Sequence, residues 1–171
     1  MPIVAFENRR RATLRLVIEP LHEHYEVPHL ATAGIRYRPD EGEEDRSTSV
    51  VGEDQIDFWC NAHAVEVDIV HPSPYEKLLW DICVNLGFCG GLVNGVPTHV
   101  SDLLPADGTI DAEAFAALAI QAEGGWDVDQ ARRRWSETLE AKFVEHLGSR
   151  EVPVGALKEI QRRPFDEPEA A

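Results

Sequence analysis

Cysteine and histidine are the residues of this chain whose chemistry is most specific. The chain contains 3 cysteines and 7 histidines. Thiolate and imidazole groups hold zinc when about four of them converge on one point. The candidates for such a site are His22, His24, His29, Cys60, His63, His71, Cys83, Cys89 and His99.

One pair of these residues has a spacing typical of zinc ligands. Cys60 and His63 form a C-x-x-H pair, but structural zinc sites usually contain two short-spaced pairs. The other short pair is His22-x-His24, whose rings would lie on one face of a strand. We therefore predict neither a metal site nor a cofactor. The alternative is a zinc site formed by Cys60, His63, Cys89 and His99.

Cys89 is the candidate nucleophile because it precedes Gly90-Gly91, in a segment expected to be exposed. His99 could approach it across a hairpin at Asn94-Gly95 and act as the base. The sequence indicates no third group that would orient the base, and a turn explains the glycines. We therefore favour a protein that is not an enzyme. An enzyme or a small-ligand or metal-binding protein with a Cys/His site is the alternative.

Other catalytic and ion-binding motifs are missing from the sequence. No G-x-S-x-G, P-loop or G-x-G-x-x-G segment occurs. The acidic residues from Asp107 to Glu113 have the spacing of half a calcium loop. The first, third and twelfth ligand positions of that loop would be Leu103, Pro105 and Ala114, which offer no side-chain oxygen, so we predict no calcium site.

Acidic residues dominate the charge of the chain. It has 31 Asp and Glu against 16 Lys and Arg, a formal net charge of −15. Such an excess repels nucleic acids and anionic membranes, so we predict neither as a partner. A basic protein would instead be attracted.

The acids concentrate in the stretch from Asp40 to Asp57, where Arg46 is the single basic residue. One interpretation is a solvated loop. The other is an acidic face for a basic partner, and we favour it as the functional hypothesis because charge complementarity speeds association. The predicted binding residues are Glu41, Glu43, Glu44, Asp45, Glu53, Asp54, Asp57 and Trp59.

Two tryptophans fall outside the apolar stripes of their predicted elements. Trp59 points opposite to Phe58 along a strand, and Trp80 follows Leu79 on a helix. Such residues form either a second packing layer or anchors for a partner. We favour packing and keep Trp59 among the binding candidates.

Location is predicted from cysteine usage and from the apolar runs. The longest apolar run, Ala114 to Ile120, is far too short to cross a bilayer. The N-terminal residues show no secretory signal. An odd cysteine count without short-spaced pairs favours free thiols in a reducing compartment. We therefore predict a cytoplasmic protein in which all three thiols are free.

The stretch from Ser73 to Val100 separates two kinds of periodicity. Ser73 and Glu76 form a capping box around Pro74, and Gly87 ends the helix that follows. Asn94-Gly95 predicts a tight hairpin. Alternating segments precede this stretch and helical periodicity follows it.

These patterns predict an α+β fold in which an N-terminal antiparallel meander packs against three or four C-terminal helices. The domain is predicted to cover residues 1–163, strand-rich over 1–72 and helix-rich over 73–163, with a last helix from Val154 to about Arg162. Residues 164–171 are predicted to form a flexible acidic tail or to lie over the surface.

The functional hypothesis is a small acidic binding or inhibitory protein, of the kind that neutralises a toxin. The grounds are its acidity, its clustered acids, its compact size and its incomplete catalytic groups. The sequence does not indicate an oligomeric state.

Overall fold

The structure is a computed structural model that describes residues 1–39, 41–124, 127–158 and 162–166. Strands occupy the N-terminal half of the described chain, and three α-helices lie in the C-terminal half. The predicted α+β class is confirmed. Among the described residues, no helix combines the length and the apolar character needed to cross a membrane.

The described residues divide into two compact units. Residues 1–72 and 162–166 form the N-terminal unit, and residues 73–158 form the C-terminal unit. The boundary after Pro72 is the position where the sequence changes from strand to helix periodicity. That the two halves form one domain ending at residue 163 stays a prediction.

Two β-sheets build the N-terminal unit. Their strands are β1 (Ile3–Glu7), β2 (Leu14–Glu19), β3 (Glu23–Val27), β4 (Thr32–Tyr37), β5 (Thr48–Val51), β6 (Gln55–Trp59) and β7 (Val65–Val70). One sheet has the order β1-β4-β7 and the other β3-β2-β6-β5. The β2–β6 pair is parallel, and the other pairs are antiparallel. The strands therefore do not follow one another as a simple meander.

The two sheets bury their apolar faces against each other. Residues of both sheets belong to one hydrophobic cluster. Tyr37 of β4 and Phe58 of β6 have ring centroids 5.3 Å apart, and Phe6 of β1 lies 6.3 Å from Phe58. The period-2 alternation predicted for these strands places one set of side chains in this core and the other outside it.

The segment 162–166 lies on the outer face of the three-stranded sheet. Asp68 of β7 accepts hydrogen bonds from the Phe165 N–H at 2.7 Å and from the Arg162 guanidinium at 2.9 Å. A Cβ at Gly34 would lie 2.2 Å from the Cβ of Pro164, so glycine leaves the space that the proline fills. The beginning of the predicted tail therefore contacts the sheet, and residues 167–171 lie outside the described residues.

Helices dominate the C-terminal unit. Its elements are α1 (Pro74–Leu86), β8 (Gly91–Val93), β9 (Val96–Thr98), β10 (Thr109–Asp111), α2 (Ala112–Ala122), α3 (Val128–Leu147) and β11 (Glu151–Pro153), with 3-10 turns at Val100–Leu103 and Val154–Leu157. The last helix, predicted from Val154 to about Arg162, begins as a 3-10 turn over Val154–Leu157 and not as an α-helix. Residues 159–161, within the predicted span of that helix, lie outside the described residues.

Local signals of the sequence are confirmed in this unit. The Ser73 hydroxyl accepts the Glu76 N–H at 3.1 Å, and the Glu76 carboxylate accepts the Ser73 N–H at 2.7 Å. Gly87 ends α1 with a φ of 83°. Asn94 and Gly95 have φ of 52° and 81° in the turn between β8 and β9, as the Asn-Gly pair predicts.

The three helices share a second hydrophobic cluster. In α1 the buried apolar residues are Tyr75, Leu78 and Ile82, and Leu79 is half-buried. The rings of Phe115 in α2 and Phe143 in α3 are 5.2 Å apart. The spacing of the buried residues follows the period of a helix.

The prediction of three free thiols is wrong, because Cys83 and Cys89 form a disulfide. The end of α1 explains it: the Gly87 N–H donates to the Cys83 carbonyl and the Phe88 N–H to the Ile82 carbonyl, which reverses the chain direction. The Cα atoms of the two cysteines are then 4.4 Å apart, within reach of a disulfide. Cys60 is the free thiol and is buried.

We expect thiol titration of the denatured, unreduced protein to find one thiol. The same titration after reduction should find three, and a Cys60→Ala variant should show none before reduction. Closing a loop this short contributes roughly 2 kcal/mol in the chain-entropy account, so reduction should lower the denaturation midpoint of the C-terminal unit. Three thiols in the unreduced protein would contradict the bond.

Candidate functional site

The acidic segment, defined here as residues 41–59, forms the edge of the four-stranded sheet. Its outer strand is β5, which pairs with β6. Exposed carboxylates stand at both ends of that strand. Those before it belong to Glu41, Glu43 and Glu44, and those after it to Glu53 and Asp54. Asp40, the first residue of the predicted stretch, lies outside the described residues.

Asp45 and Asp57, among the predicted binding residues, accept hydrogen bonds from neighbouring groups. Asp45 accepts the Ser47 N–H and the Tyr37 hydroxyl, each at 2.9 Å. The hydrogen bond from the Ser47 N–H lowers the pKa of Asp45, and the hydroxyls of Ser47 and Tyr37 contribute less. Asp57 is half-buried and accepts the Gln55 side-chain amide at 2.5 Å. These two acids hold the segment in place, and the other five predicted binding acids, all of them exposed, present its charge.

Asn61 fixes the loop before β5. Its side-chain amide donates to the Glu44 carbonyl at 3.1 Å and to the Glu43 carboxylate at 3.3 Å. Its carbonyl oxygen accepts the Arg46 N–H at 3.4 Å. The glutamates of this loop therefore project from a backbone that is tied to the end of β6.

Basic residues from the N-terminus approach the other end of the segment. Arg10 donates to the Glu53 carbonyl, and the Arg15 N–H donates to the Asp54 carbonyl at 2.9 Å. Within the acidic stretch Arg46 is the one basic residue, and the fold brings the Arg10 guanidinium to the turn between β5 and β6. The loop carrying Glu41, Glu43 and Glu44 is consequently the more strongly acidic end.

Apolar surface lies between the two groups of acids. Val50 and Val51 are 58% and 66% exposed, and Trp59, opposite Thr48, is 48% exposed. Trp59 is therefore not enclosed in a second packing layer. Trp80 of α1, by contrast, is half-buried.

Of the four residues of the alternative site, Cys60 and His63 lie in the N-terminal unit, and Cys89 and His99 lie in the C-terminal unit. The sulfur of Cys89 is bonded to Cys83, so it is available neither as a nucleophile nor as a zinc ligand. Burial raises the pKa of Cys60. The His99 ring caps the 3-10 turn by accepting the Ser101 N–H at 3.3 Å. His63 is exposed.

A different group of polar residues meets between α1 and α3. Asp81 is only 8% exposed. One of its oxygens lies 2.8 Å from Nε2 of His146 and 3.0 Å from Nζ of Lys142. The other accepts the side-chain amide of Asn85. Lys142 also contacts Glu145 at 2.8 Å.

This group was missed by sequence analysis. Asp81 lies beside Leu78 and Ile82 on the buried side of α1. A charged side chain at such a position indicates that an oppositely charged or hydrogen-bonding side chain of the same protein must lie next to it. Lys142 and His146 are four residues apart and thus on one face of α3. The sequence does not indicate which helix face would meet Asp81.

Asp81, Glu145 and His146 are also the one described group of three ligand-type residues close enough to hold a metal ion, with ligand atoms within 4.8 Å of one another. Lys142 places an ammonium beside both carboxylates, where a cation would have to bind. The arrangement is thus satisfied as an ion-pair network that joins two helices.

Acid should weaken this network. Burial alone would raise the pKa of Asp81, but the hydrogen bonds from His146, Asn85 and Lys142 outweigh it and lower the pKa from 3.8 to about 2. A depressed carboxyl pKa stabilises the fold above the unfolded-state pKa, and that stability is lost as pH falls toward 2. The difference corresponds to about 2 kcal/mol.

We therefore expect Asp81→Asn to lower the free energy of unfolding by about 2–3 kcal/mol at pH 7 and by much less near pH 2. Urea denaturation of the C-terminal unit's helical signal at several pH values measures this. Asp107→Asn, at an exposed position, is the matched control and should change little. An Asp81→Asn effect of the same size at both pH values would contradict the network's role.

Comparison of the chain with family models, curated proteins and solved structures found no match.

Proposed function

We propose that this chain is a binding protein, acting as an inhibitor, whose acidic segment docks on a basic protein. The observation that carries the proposal is the arrangement at β5, where exposed apolar side chains lie between two groups of exposed carboxylates. An apolar centre with a charged rim is the usual anatomy of a protein interface.

The charges and the apolar residues have different parts in this proposal. Carboxylates at the rim attract a basic partner over several ångströms and raise the association rate. A tryptophan that is half exposed supplies an anchor of the kind that dominates binding energy. Trp59 has this exposure and lies on the same hairpin as the acids.

The cytoplasmic location stays a prediction. The disulfide between Cys83 and Cys89 removes the free-thiol argument for it, because such bonds persist mainly in oxidising compartments. The proposed interaction depends on charge and holds in either compartment.

Neutralising Glu41, Glu43 and Glu44 to Gln should slow association with the partner and leave the fold intact. The loss should shrink as salt rises, because a Debye length of about 8 Å at physiological ionic strength already screens exposed charges. The measurement is affinity capture from the native proteome by the immobilised chain, followed by binding kinetics with each basic protein captured. The same carboxylates repel one another, so the variant should be no less stable at low salt.

A matched control changes three exposed acids of the C-terminal unit by the same charge. These are Asp107→Asn, Glu113→Gln and Glu137→Gln. If the control slows association as much as the test variant, net charge alone is responsible. A partner whose binding ignores the test variant and the salt would refute the proposal.

A further inference from the structure

The strand β5 combines an outer position in its sheet with full exposure. All four of its residues, Thr48–Val51, are exposed. It pairs with β6 alone, since the described residues place no strand on its other side. An outer strand of this kind offers a row of backbone groups for another chain.

The register identifies those backbone groups. The Arg15 N–H donates to the Asp54 carbonyl, and the Cys60 N–H donates to the Glu19 carbonyl. The backbone N–H and C=O groups of even-numbered residues along β6 therefore point toward β2, and those of odd-numbered residues point toward β5. Antiparallel pairing of Thr48 with Trp59 and of Val50 with Asp57 then directs the backbone groups of Thr48 and Val50 toward β6.

The N–H and C=O groups of Ser49 and Val51 therefore point away from the sheet. The Gly52 N–H bond to the Gln55 carbonyl at 2.7 Å gives the same alternation. Ser49 and Val51 are two residues apart, which is the spacing at which the residues of a strand hydrogen-bond to an added neighbouring strand.

The strand lacks the features that usually protect a sheet edge. It contains no charged residue and no proline, and two of its residues are valines. The opposite outer strand of the same sheet, β3, carries two glutamates and a histidine in five residues. Charges on an outer strand discourage pairing, so the two edges of this sheet differ in their openness.

Both faces of β5 are uncovered. Val51 lies opposite the buried Ile56, on the face that forms the core, yet it is 66% exposed. On the other face, Val50 and Trp59 are exposed as well. A fifth strand would extend the sheet next to these side chains and cover part of their apolar surface.

Charge selects the occupant. In antiparallel pairing of two copies, the loop with Glu41, Glu43 and Glu44 of one copy would lie beside Glu53 and Asp54 of the other. Parallel pairing would place like ends together. Both arrangements bring together two ends of net negative charge, because the acids outnumber Arg46 at one end and Arg10 at the other, so two copies repel. A segment with basic residues around a short apolar stretch meets opposite charge at both ends.

We propose that β5 receives an extended basic segment of the partner as an additional strand. This inference rests on the proposed function and specifies its binding mode: backbone hydrogen bonds at Ser49 and Val51, apolar contacts at Val50 and Trp59, and charge pairs at the two ends.

The probe is a synthetic peptide in which Val and Thr alternate between two pairs of Lys. Two control peptides replace the Lys by Glu or carry N-methyl groups on alternate central residues, which prevents strand pairing. We expect the Lys peptide to bind at least about tenfold more tightly than either control. Amide hydrogen exchange at Ser49 and Val51 should slow on binding.

Two substitutions of the chain separate backbone pairing from charge. Ser49→Pro removes an outward N–H that β6 does not use, and an outer strand tolerates proline at such a position. Ser49→Ala keeps the N–H and is the matched control. Ser49→Pro should weaken binding of the Lys peptide about tenfold, and Ser49→Ala should leave it unchanged. The N-methylated peptide makes the same comparison on the unaltered protein if the proline variant fails to fold.

The outcomes distinguish this inference from the function on which it rests. Charge-dependent binding that ignores both N-methylation and Ser49→Pro would overturn strand addition and leave the acidic docking surface standing. Failure of the Lys peptide to bind would also overturn strand addition. A dimer of the chain that Ser49→Pro abolishes would identify a second copy as the occupant and refute the basic segment. Failure of the proposed function is detected separately, by the variant at Glu41, Glu43 and Glu44.

Discussion

Leu78→Ala should lower the free energy of unfolding of the C-terminal unit by about 2–5 kcal/mol, the range for a buried leucine that leaves a cavity. Leu78 has no exposed surface and lies in the cluster shared by the three helices. The loss combines the transfer energy of the removed atoms with the unfilled space around them.

The matched control on the same helix is Val84→Ala. Val84 is 55% exposed, so its truncation should change stability by no more than about 0.5 kcal/mol. Urea denaturation followed by the helical circular dichroism signal measures both variants. Equal midpoints for the two would show that the buried face of α1 is assigned wrongly.

The boundaries of α1 could be predicted from sequence because they depend on neighbours in the chain. Ser73, Glu76 and Gly87 each act within one turn of the helix end. The hairpin at Asn94-Gly95 is equally local. The alternation of apolar and polar residues in the strands is local as well, because the sequence of each strand alone determines which of its faces is apolar.

The pairing of strands could not be predicted, because it joins distant residues. Ile3 of β1 lies opposite Arg36 of β4, and Arg15 of β2 lies opposite Gln55 of β6 in a parallel pair. Alternation says that a strand has a buried face and leaves its neighbour unspecified. The two-sheet core consequently emerged only from the structure.

The candidate site was predictable in composition and not in geometry. The exposure of Glu41, Glu43 and Glu44 follows from their charge. The open edge of β5 and the approach of Arg10 to Glu53 depend on the sheet order and on a contact 43 residues apart in sequence. The Asp81 network needs the contact of two helices and was missed for the same reason.

The second large effect is expected at Asn8, which has no exposed surface. Its side-chain amide donates to the carbonyls of Ala12 and Val27, each at 2.8 Å, and its side-chain oxygen accepts the Arg10 N–H at 2.9 Å. Its backbone pairs with Leu30 and Ala31. Asn8 thus ties the connection after β1 to the connection between β3 and β4, where the chain passes from one sheet to the other.

Asn8→Ala should lower the free energy of unfolding of the N-terminal unit by about 2–4 kcal/mol. A buried polar group left without its partner costs about 1–3 kcal/mol. The largest part should come from Val27, because its bond to Asn8 is buried, whereas the bonds to Ala12 and Arg10 are partly exposed and water can replace them.

Asn61→Ala is the matched control, since Asn61 also bridges backbone groups but does so through longer bonds in an exposed loop. It should cost no more than about 1 kcal/mol. Urea denaturation of the full chain, followed by tyrosine and tryptophan fluorescence, compares the two variants. Asn8→Asp tests the donors separately: it keeps the acceptor for Arg10 and turns a carboxylate toward two carbonyls, so it should be at least as destabilising as alanine. An Asn8→Asp variant as stable as the wild-type chain would show that the amide donors do not hold the two sheets together.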